Sequence, residues 1–139
     1  MMRILLDTEC WLWSLTDPDR LNDRAQSLIT EPENTLYLSA ASSWEIAIKY
    51  RLGKLPLPEP PQIYVPSRMQ AQGIESLAIE HVHALRVATL PLYHRDPFDR
   101  LLIAQAQVEG WLLLTADPLI RKYKVKLVWA GRRQTRRAT

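Results

Sequence analysis

Five short apolar segments, separated by stretches with helical periodicity, limit this chain to a small set of folds. Their patterns predict strands over residues 3–6, 35–39, 74–77, 111–115 and 125–129. Strands that alternate with helices in this way favour an α/β fold, with a mostly parallel central sheet flanked by helices on both faces. Right-handed crossovers would bring the loops that follow the strands to one edge of the sheet, where ligands bind in such folds.

The length of the chain indicates one domain. With 139 residues, 47% of them apolar, it has the size and composition of a single globular unit, and we expect that unit to span residues 1–130. The basic residues 131–139 are expected to form a disordered tail. No apolar run reaches the roughly 20 residues that span a bilayer, and the first residues lack a secretory signal. We therefore expect a cytoplasmic protein without membrane contact.

Two helices are predicted from local signals. Ser42, followed three residues later by Glu45, has the spacing of a capping box, which predicts that a helix begins at Ser42. A second helix is predicted over residues 80–89, with Val82 and Leu85 partly facing the core. The single cysteine, Cys10, excludes an internal disulfide and is expected to be a buried thiol in a helix.

The strongest helix signal lies in residues 94–106. Asp96 has the properties of an N-cap, Pro97 suits the first helical position, and Asp99 falls in the first turn, where the helix dipole favours a carboxylate. The apolar residues that follow recur at helical spacing. Both acids can be read as helix caps alone, but Asp99 can equally serve a functional site.

Four carboxylates follow the predicted elements in a way that brings them to one edge of the sheet. Asp7 comes directly after the first strand, Glu45 lies one helical turn beyond the second, and Asp117 follows the fourth strand by two residues. Asp99 opens the helix that leads into that fourth strand. Each acid alone is compatible with a cap or a surface position, but the coincidence of four at one edge indicates a site.

Such a cluster requires a neutralising partner. Two like charges at about 4 Å repel by about 1 kcal/mol in water and by about 4 kcal/mol at an effective dielectric constant of about 20. The acids must therefore take up protons or bind a cation. Oxygen ligands without cysteine or paired histidine favour Mg²⁺ or Mn²⁺, which can activate water and hold phosphate oxygens. The cluster therefore points to phosphodiester hydrolysis.

The basic residues are unevenly distributed although the net charge is only +3. They concentrate in residues 121–126 and in the tail at Arg132, Arg133, Arg136 and Arg137. Basic clusters near an acidic site suit a polyanionic substrate, and they are equally compatible with a solvated surface.

Four motifs resemble those of a known family. They are Leu-Leu-Asp-Thr at 5–8, Leu-Ser-Ala-Ala-Ser-Ser-Trp-Glu at 38–45, Asp-Pro-Phe-Asp at 96–99 and Leu-Thr-Ala-Asp at 114–117. In this order and spacing they resemble the PIN domain, and most closely the VapC-type toxins of type II toxin–antitoxin systems. The resemblance covers residues 3–129.

The resemblance implies a PIN-like fold and a Mg²⁺- or Mn²⁺-dependent endoribonuclease with an RNA substrate. It also implies a homodimer and a cognate antitoxin protein that blocks the site. The family's catalytic acids carry over to this chain, where Asp7 and Asp99 would be the firmest metal ligands. Glu45 and Asp117 would be ligands directly or through water.

The same resemblance assigns supporting positions. Thr8 and Thr115 match small hydroxyl positions that can hold a water molecule or an acid, and Asp96 matches the first acid of its motif, as a cap or as support for the ligands. The basic tail lies outside the family pattern.

Several neighbouring residues have simpler interpretations. His94 is expected to be a surface imidazole rather than a phosphate contact, and Glu9 is expected to point away from the site. Lys49 and Arg100 are expected to form structural ion pairs. Packing is favoured over base stacking for three tryptophans, Trp11, Trp13 and Trp44.

Two alternatives to a nuclease follow from the sequence. A non-catalytic module could use the same fold to bind RNA or a protein, although four retained acids would then repel one another without purpose. A receiver-type phosphoacceptor domain has a similar length, but it needs an acidic pair at the end of its first strand, and Asp7 has no acidic neighbour there.

Overall fold

The structure is a computed structural model that describes residues 1–132. Within this range five strands and six α-helices follow one another along the chain. The strands are β1 (Arg3–Leu6), β2 (Thr35–Ser39), β3 (Glu75–Leu77), β4 (Leu112–Thr115) and β5 (Leu127–Trp129). The helices are α1 (Thr8–Thr16), α2 (Asp23–Thr30), α3 (Ala40–Arg51), α4 (Pro61–Gln72), α5 (His81–Arg86) and α6 (Pro97–Glu109). The strands lie where the sequence predicted them, apart from trimmed ends.

The strands form one parallel sheet in the order β3-β2-β1-β4-β5. At its centre, Leu5 of β1 is in register with Tyr37 of β2 on one side and with Leu113 of β4 on the other. The chain therefore builds outward from β1 to β3, and then crosses over to add β4 and β5. The order reverses between β1 and β4, and the carboxyl ends of strands at such a point flank the usual ligand crevice.

Helices cover both faces of the sheet, as the sequence predicted. Successive side chains of a strand point to opposite faces, so Ile4 and Leu6 of β1 pack in one core with α1, α2 and α4. Leu5 lies in the second core, which α6 fills with Leu102 and Ile103. All five of these side chains are fully buried. The α/β fold class is confirmed.

Helix α3 begins earlier than predicted, because β2 passes into it without a loop. Ser39 ends the strand and caps the helix, since its Oγ accepts a hydrogen bond from the backbone N–H of Ala41 at 3.0 Å. The predicted capping box at Ser42 is therefore wrong. Ser42 lies inside the helix, fully buried, and its Oγ accepts a hydrogen bond from Thr8 Oγ1 at 2.7 Å.

The prediction for residues 80–89 was right about helical structure and wrong about its buried face. Helix α5 ends at Arg86 and a 3₁₀ turn follows, so a single periodicity does not run through the segment. Val82 and Leu85 are 52% and 72% exposed, whereas His83 is fully buried. Its Nε2 lies 2.9 Å from Glu109 Oε1, which satisfies the polar ring in the core.

The start of the predicted tail contacts the domain. Gly131 forms a bridge with Leu21, and Arg132 Nη2 lies 3.5 Å from Asp23 Oδ1. Most of the predicted disordered tail, residues 133–139, lies outside the described residues. Among residues 1–132, no helix combines the length and the apolar character needed to cross a membrane.

Candidate active site

A cleft of about 440 Å³ opens at the carboxyl ends of β1 and β4. Its walls come from Asp7 and α1 after β1, from the loop that follows β4, from α3 and from the start of α6. Six acidic residues line it, namely Asp7, Glu9, Glu45, Asp96, Asp99 and Asp117. The structure therefore brings together the four acids that the sequence placed at one edge of the sheet.

Asp7 lies at the centre of the cleft because β1 ends there. Its backbone N–H continues the sheet by donating to the carbonyl of Leu114 at 2.9 Å, and its side chain makes no capping bond to α1. Oδ2 instead accepts a hydrogen bond from Thr115 Oγ1 at 2.6 Å. Burial raises the pKa of Asp7 to about 6; the Thr115 bond opposes this, and the charges of Asp117 and Glu45 add to it.

The two threonines have different partners. Thr115 Oγ1 also accepts the backbone N–H of Asp117 at 3.0 Å, so one hydroxyl connects Asp7 with the loop that carries Asp117. Thr8 lines the cleft, but its hydroxyl donates to Ser42 and thereby joins α1 to α3. Thr115 therefore holds an acid, whereas Thr8 holds two helices in place.

Asp96 caps α6 and leaves Asp99 free to face the cleft. Asp96 Oδ1 accepts the backbone N–H groups of Phe98 at 2.9 Å and Asp99 at 3.1 Å, so the predicted N-cap is confirmed. Burial raises the pKa of Asp99 to about 8, with further contributions first from the charge of Asp7 and then from Asp96, Glu45 and Asp117. At neutral pH the raised pKa favours the protonated form of Asp99, and a bound cation would favour the carboxylate instead.

His94 belongs to the site, and its prediction as a surface imidazole was wrong. Its side chain is 11% exposed, and Nε2 lies 3.0 Å from Asp99 Oδ2 and 2.8 Å from Asp117 Oδ2. Nδ1 accepts the backbone N–H of Asp96 at 3.2 Å, which assigns the ring proton to Nε2, where it can be donated to one of the two acids. Its place two residues before the N-cap Asp96 was the only signal in the sequence.

Glu45 is buried on α3, and among residues 1–132 it carries the one fully buried side-chain oxygen without a hydrogen-bond partner. Its Oε2 lies 2.6 Å from Lys49 Nζ, so the predicted ion pair of Lys49 is confirmed. The hydrogen bond to Glu45 raises the pKa of Lys49. Glu45 Oε1 is buried without a hydrogen-bond partner within residues 1–132. A buried carboxylate oxygen without a partner is costly and calls for a water molecule or a cation.

Arg100 supports the segment that carries His94 and makes no ion pair with a described residue. Its guanidinium donates to the carbonyl oxygens of four residues, at 2.8–3.3 Å, and to Tyr123 Oη at 3.3 Å. The carbonyls belong to Val87, Leu90, Pro91 and His94. The predicted ion pair is therefore wrong, since the planar fork of Arg100 matches backbone carbonyls instead.

The remaining predictions near the cleft had mixed outcomes. Glu9 is exposed and its residue lines the cleft, and the direction of its carboxylate stays a prediction. Trp11 is fully buried, as expected, and its Nε1 donates to Gln72 at 2.8 Å. Trp13 lines the cleft, and Trp44 is 56% exposed and packs edge to face with Phe98. Cys10 is fully buried, and burial raises the pKa of its thiol.

The composition of the cleft fits a hard divalent cation. Asp99 and Asp117 each offer a carboxylate oxygen within 4.8 Å of the other, and His94 Nε2–H lies between them as a hydrogen-bond donor. Across the cleft, Asp7 and the unsatisfied Oε1 of Glu45 add two oxygens. Oxygen-rich donor sets favour Mg²⁺, Mn²⁺ or Ca²⁺. A cation would relieve the repulsion that raises the pKa values of Asp7 and Asp99.

Comparison with known proteins identifies the family. The PIN domain family model matches residues 4–126. The chain belongs to the PIN domain family. The family prediction made from the four motifs is therefore confirmed.

Two relatives from Mycobacterium tuberculosis share this domain. Ribonuclease VapC16 is 49% identical over 65 residues, which cover 47% of this chain and 45% of VapC16, less than half of its length. Ribonuclease VapC22 is 29% identical over 125 residues, which cover 89% of this chain and 94% of VapC22.

Solved structures share the fold at low sequence identity. VapBC2 from Rickettsia felis, bound to a promoter DNA fragment, has a TM-score of 0.70 and 17% identity over 94% of this chain and 100% of that chain. FitAcB from Neisseria gonorrhoeae has a TM-score of 0.58 and 24% identity, and the match covers 89% of this chain and 95% of that chain. These similarities establish the PIN architecture of the sheet and helices.

Proposed function

We propose that this chain is a Mg²⁺- or Mn²⁺-dependent endoribonuclease that hydrolyses RNA phosphodiester bonds and serves as the toxin of a toxin–antitoxin pair. The observation that carries the proposal is the convergence of Asp7, Glu45, Asp99 and Asp117 in one cleft. Two of these acids have raised pKa values, and a third has a buried oxygen without a partner within residues 1–132. The names of VapC16 and VapC22 support the reaction class.

In this proposal Asp7 and Asp99 hold the cation, with Glu45 and Asp117 as ligands directly or through water. When bound, the ion lowers the pKa of water and neutralises charge on the phosphate. His94 Nε2–H orients Asp99 or Asp117, while Lys49 Nζ balances the charge of Glu45. Where Glu45 holds the ion through a water molecule, its Oε1 would accept a proton from that water.

The test is cleavage of single-stranded RNA by the purified full chain. We expect cleavage with Mg²⁺ or Mn²⁺, none with chelator, and none for Asp7→Asn. The matched control is Glu33→Gln, which removes an exposed acid before β2, at the opposite edge of the sheet. Cleavage that persists in chelator, or an active Asp7→Asn protein, would contradict the proposal. Binding of RNA without any cleavage would favour the non-catalytic module.

The proposed partners are a cognate antitoxin and a second copy of the chain, with the cytoplasm as the compartment. Structural neighbours include VapBC complexes, which supports the first partner. A short reading frame beside the gene that encodes a small DNA-binding protein, and whose product stops the cleavage, would be the expected antitoxin. Size-exclusion chromatography that shows only monomer at micromolar concentration would contradict the homodimer.

A further inference from the structure

A second concave surface lies beside the acidic cleft and has the opposite charge. This basic groove, of about 340 Å³, is lined by Arg86, Lys122 and Lys124 together with the rings of Tyr93 and Tyr123. Among the described residues no carboxylate lines it. The groove contains part of the basic run at residues 121–126, which the catalytic proposal leaves without a role.

The three cations of the basic groove are available for a ligand. Arg86, Lys122 and Lys124 are exposed, and none forms a salt bridge with a residue in the range 1–132. Gln107 links the Arg86 side chain to the backbone of Lys124, because its Oε1 accepts from Arg86 Nε at 3.0 Å and its Nε2 donates to the carbonyl of Lys124 at 3.0 Å. Unpaired cations in a concave surface concentrate anionic ligands.

An aromatic ring stands among these cations. Tyr93 is 50% exposed, and its ring packs edge to face against Tyr123 at 5.2 Å between centroids. Tyr123 is itself buried, and its hydroxyl donates to the carbonyl of Pro91 at 2.7 Å. A packed aromatic ring beside unpaired cations is typical of sites for single-stranded nucleic acids. There, bases stack on aromatic rings and phosphates contact Lys or Arg side chains.

Residues 91–94 connect the groove with the acidic cleft, since Pro91 and Tyr93 line the groove and His94 contacts an acid of the cleft. Tyr123 Oη accepts the backbone N–H of His94 at 2.8 Å, and the ring of His94 contacts Asp99 in the cleft at 3.0 Å. A strand that lies in the cleft can therefore continue over residues 91–94 into the groove. An acidic peptide could satisfy the cations, but it would leave the exposed ring of Tyr93 without a partner, so RNA is the better fit.

We propose that the basic groove binds single-stranded RNA next to the bond that is cut, with Arg86, Lys122 and Lys124 on phosphates and Tyr93 stacked on a base. The substrate class rests on the proposed function. The groove would thus hold the strand while the acidic cleft performs the chemistry.

The test measures binding of a fluorescent 12-nucleotide RNA to the full chain in chelator, so that metal-dependent cleavage does not interfere. The groove variant is Arg86→Ala/Lys122→Ala/Lys124→Ala, and the control is Arg3→Ala/Arg24→Ala/Arg51→Ala, which removes three exposed charges elsewhere. We expect the groove variant to bind at least about 10-fold more weakly than the control. The slope of log K, the RNA association constant, against log salt concentration should become about 2 less steep, since each single-strand phosphate contact contributes roughly 0.7 to that slope.

A second pair of variants tests the stacking. Tyr93→Ala should weaken binding about 5- to 10-fold, Tyr93→Phe should preserve it, and Tyr50→Ala, an exposed tyrosine on α3, should have no effect. If both triple variants bind RNA alike, the groove proposal is overturned. If oligoglutamate of equal charge displaces RNA equally well and Tyr93→Ala changes nothing, the groove is a peptide site and the proposal also fails.

The two proposals can fail separately. RNA binding that depends on the groove, without metal-dependent cleavage, would support the groove and overturn the nuclease. Normal cleavage with equal binding by both triple variants would do the reverse. Thermal unfolding of each variant shows whether a loss of binding comes from misfolding.

Discussion

The acidic cleft and the basic groove are neighbours that treat charge in opposite ways. In the cleft, burial and mutual repulsion raise the pKa values of Asp7 and Asp99. The charged forms of these two acids are therefore unfavourable unless a cation is bound. In the groove, the cations are exposed and keep their water. Buried charges act strongly at short range, while exposed ones are screened by salt within about 10 Å. In the two proposals, the cleft therefore performs the chemistry and the groove captures the strand.

The largest expected difference concerns cleavage. Asp99→Asn should lower the rate on the order of 10³-fold, about 4 kcal/mol of transition-state stabilisation, for a dinucleotide and a long RNA alike. The groove triple variant should leave dinucleotide cleavage unchanged and raise only the KM for long RNA. Steady-state kinetics on both substrates measure this, and an equal loss on the dinucleotide would abolish the distinction between the two regions.

The next effect is the dependence of stability on pH in the absence of metal. The folded-state pKa values of about 6 for Asp7 and about 8 for Asp99 exceed the usual value of 3.8. The folded state therefore holds these two protons more tightly, so their contribution to stability is fully present below about pH 4 and is lost as the pH rises to 8, on the order of a few kcal/mol. Urea unfolding in chelator checks this.

A variant isolates the carboxyl responsible. Asp99→Asn should remove most of the loss of stability between pH 6 and 8, because the amide does not titrate, whereas Glu33→Gln should keep it. If the chelated protein became more stable toward pH 8, the repulsive cluster would be refuted.

Cation binding should restore the stability that the ionised acids of the cleft remove. At 100 times its Kd, Mn²⁺ should stabilise the fold by about 2.7 kcal/mol and raise the Tm by roughly 5–10 °C. Asp99→Asn should lose this shift, whereas the groove triple variant should keep it. Differential scanning fluorimetry with and without Mn²⁺ measures both, and a full shift in Asp99→Asn would place the ion elsewhere.

The smallest effect concerns residues 87–94, the segment that connects the two regions. Arg100→Ala removes the donors that hold residues 87–94, and it should cost about 2 kcal/mol of unfolding free energy. Because this segment carries His94 and Tyr93, both cleavage and RNA binding should weaken. Arg95→Ala, which removes an exposed neighbouring charge, is the control. A loss of cleavage alone, or of RNA binding alone, would show that this segment does not couple the two regions.

Much of the fold and of the acidic cleft followed from local signals. The N-cap and proline at the start of α6 fixed the position of Asp99, and the apolar strands placed Asp7 and Asp117 at one edge of the sheet. The errors came from long-range contacts. Ser39 caps α3, so Ser42 lies inside the helix and its hydroxyl bonds Thr8 of α1 instead of a helix end. Arg100 bonds backbone carbonyls of the segment before α6 instead of an acid.

The sequence by itself determined the parallel α/β order and the carboxylates of the cleft, because strand alternation and helix caps depend on residues near one another in the chain. Only the tertiary structure decided that His94 joins Asp99 and Asp117, and that exposed cations and Tyr93 form a groove beside them. Those arrangements depend on how loops fold back across 20 or more residues, as from His94 to Asp117, and no local pattern encodes such a contact.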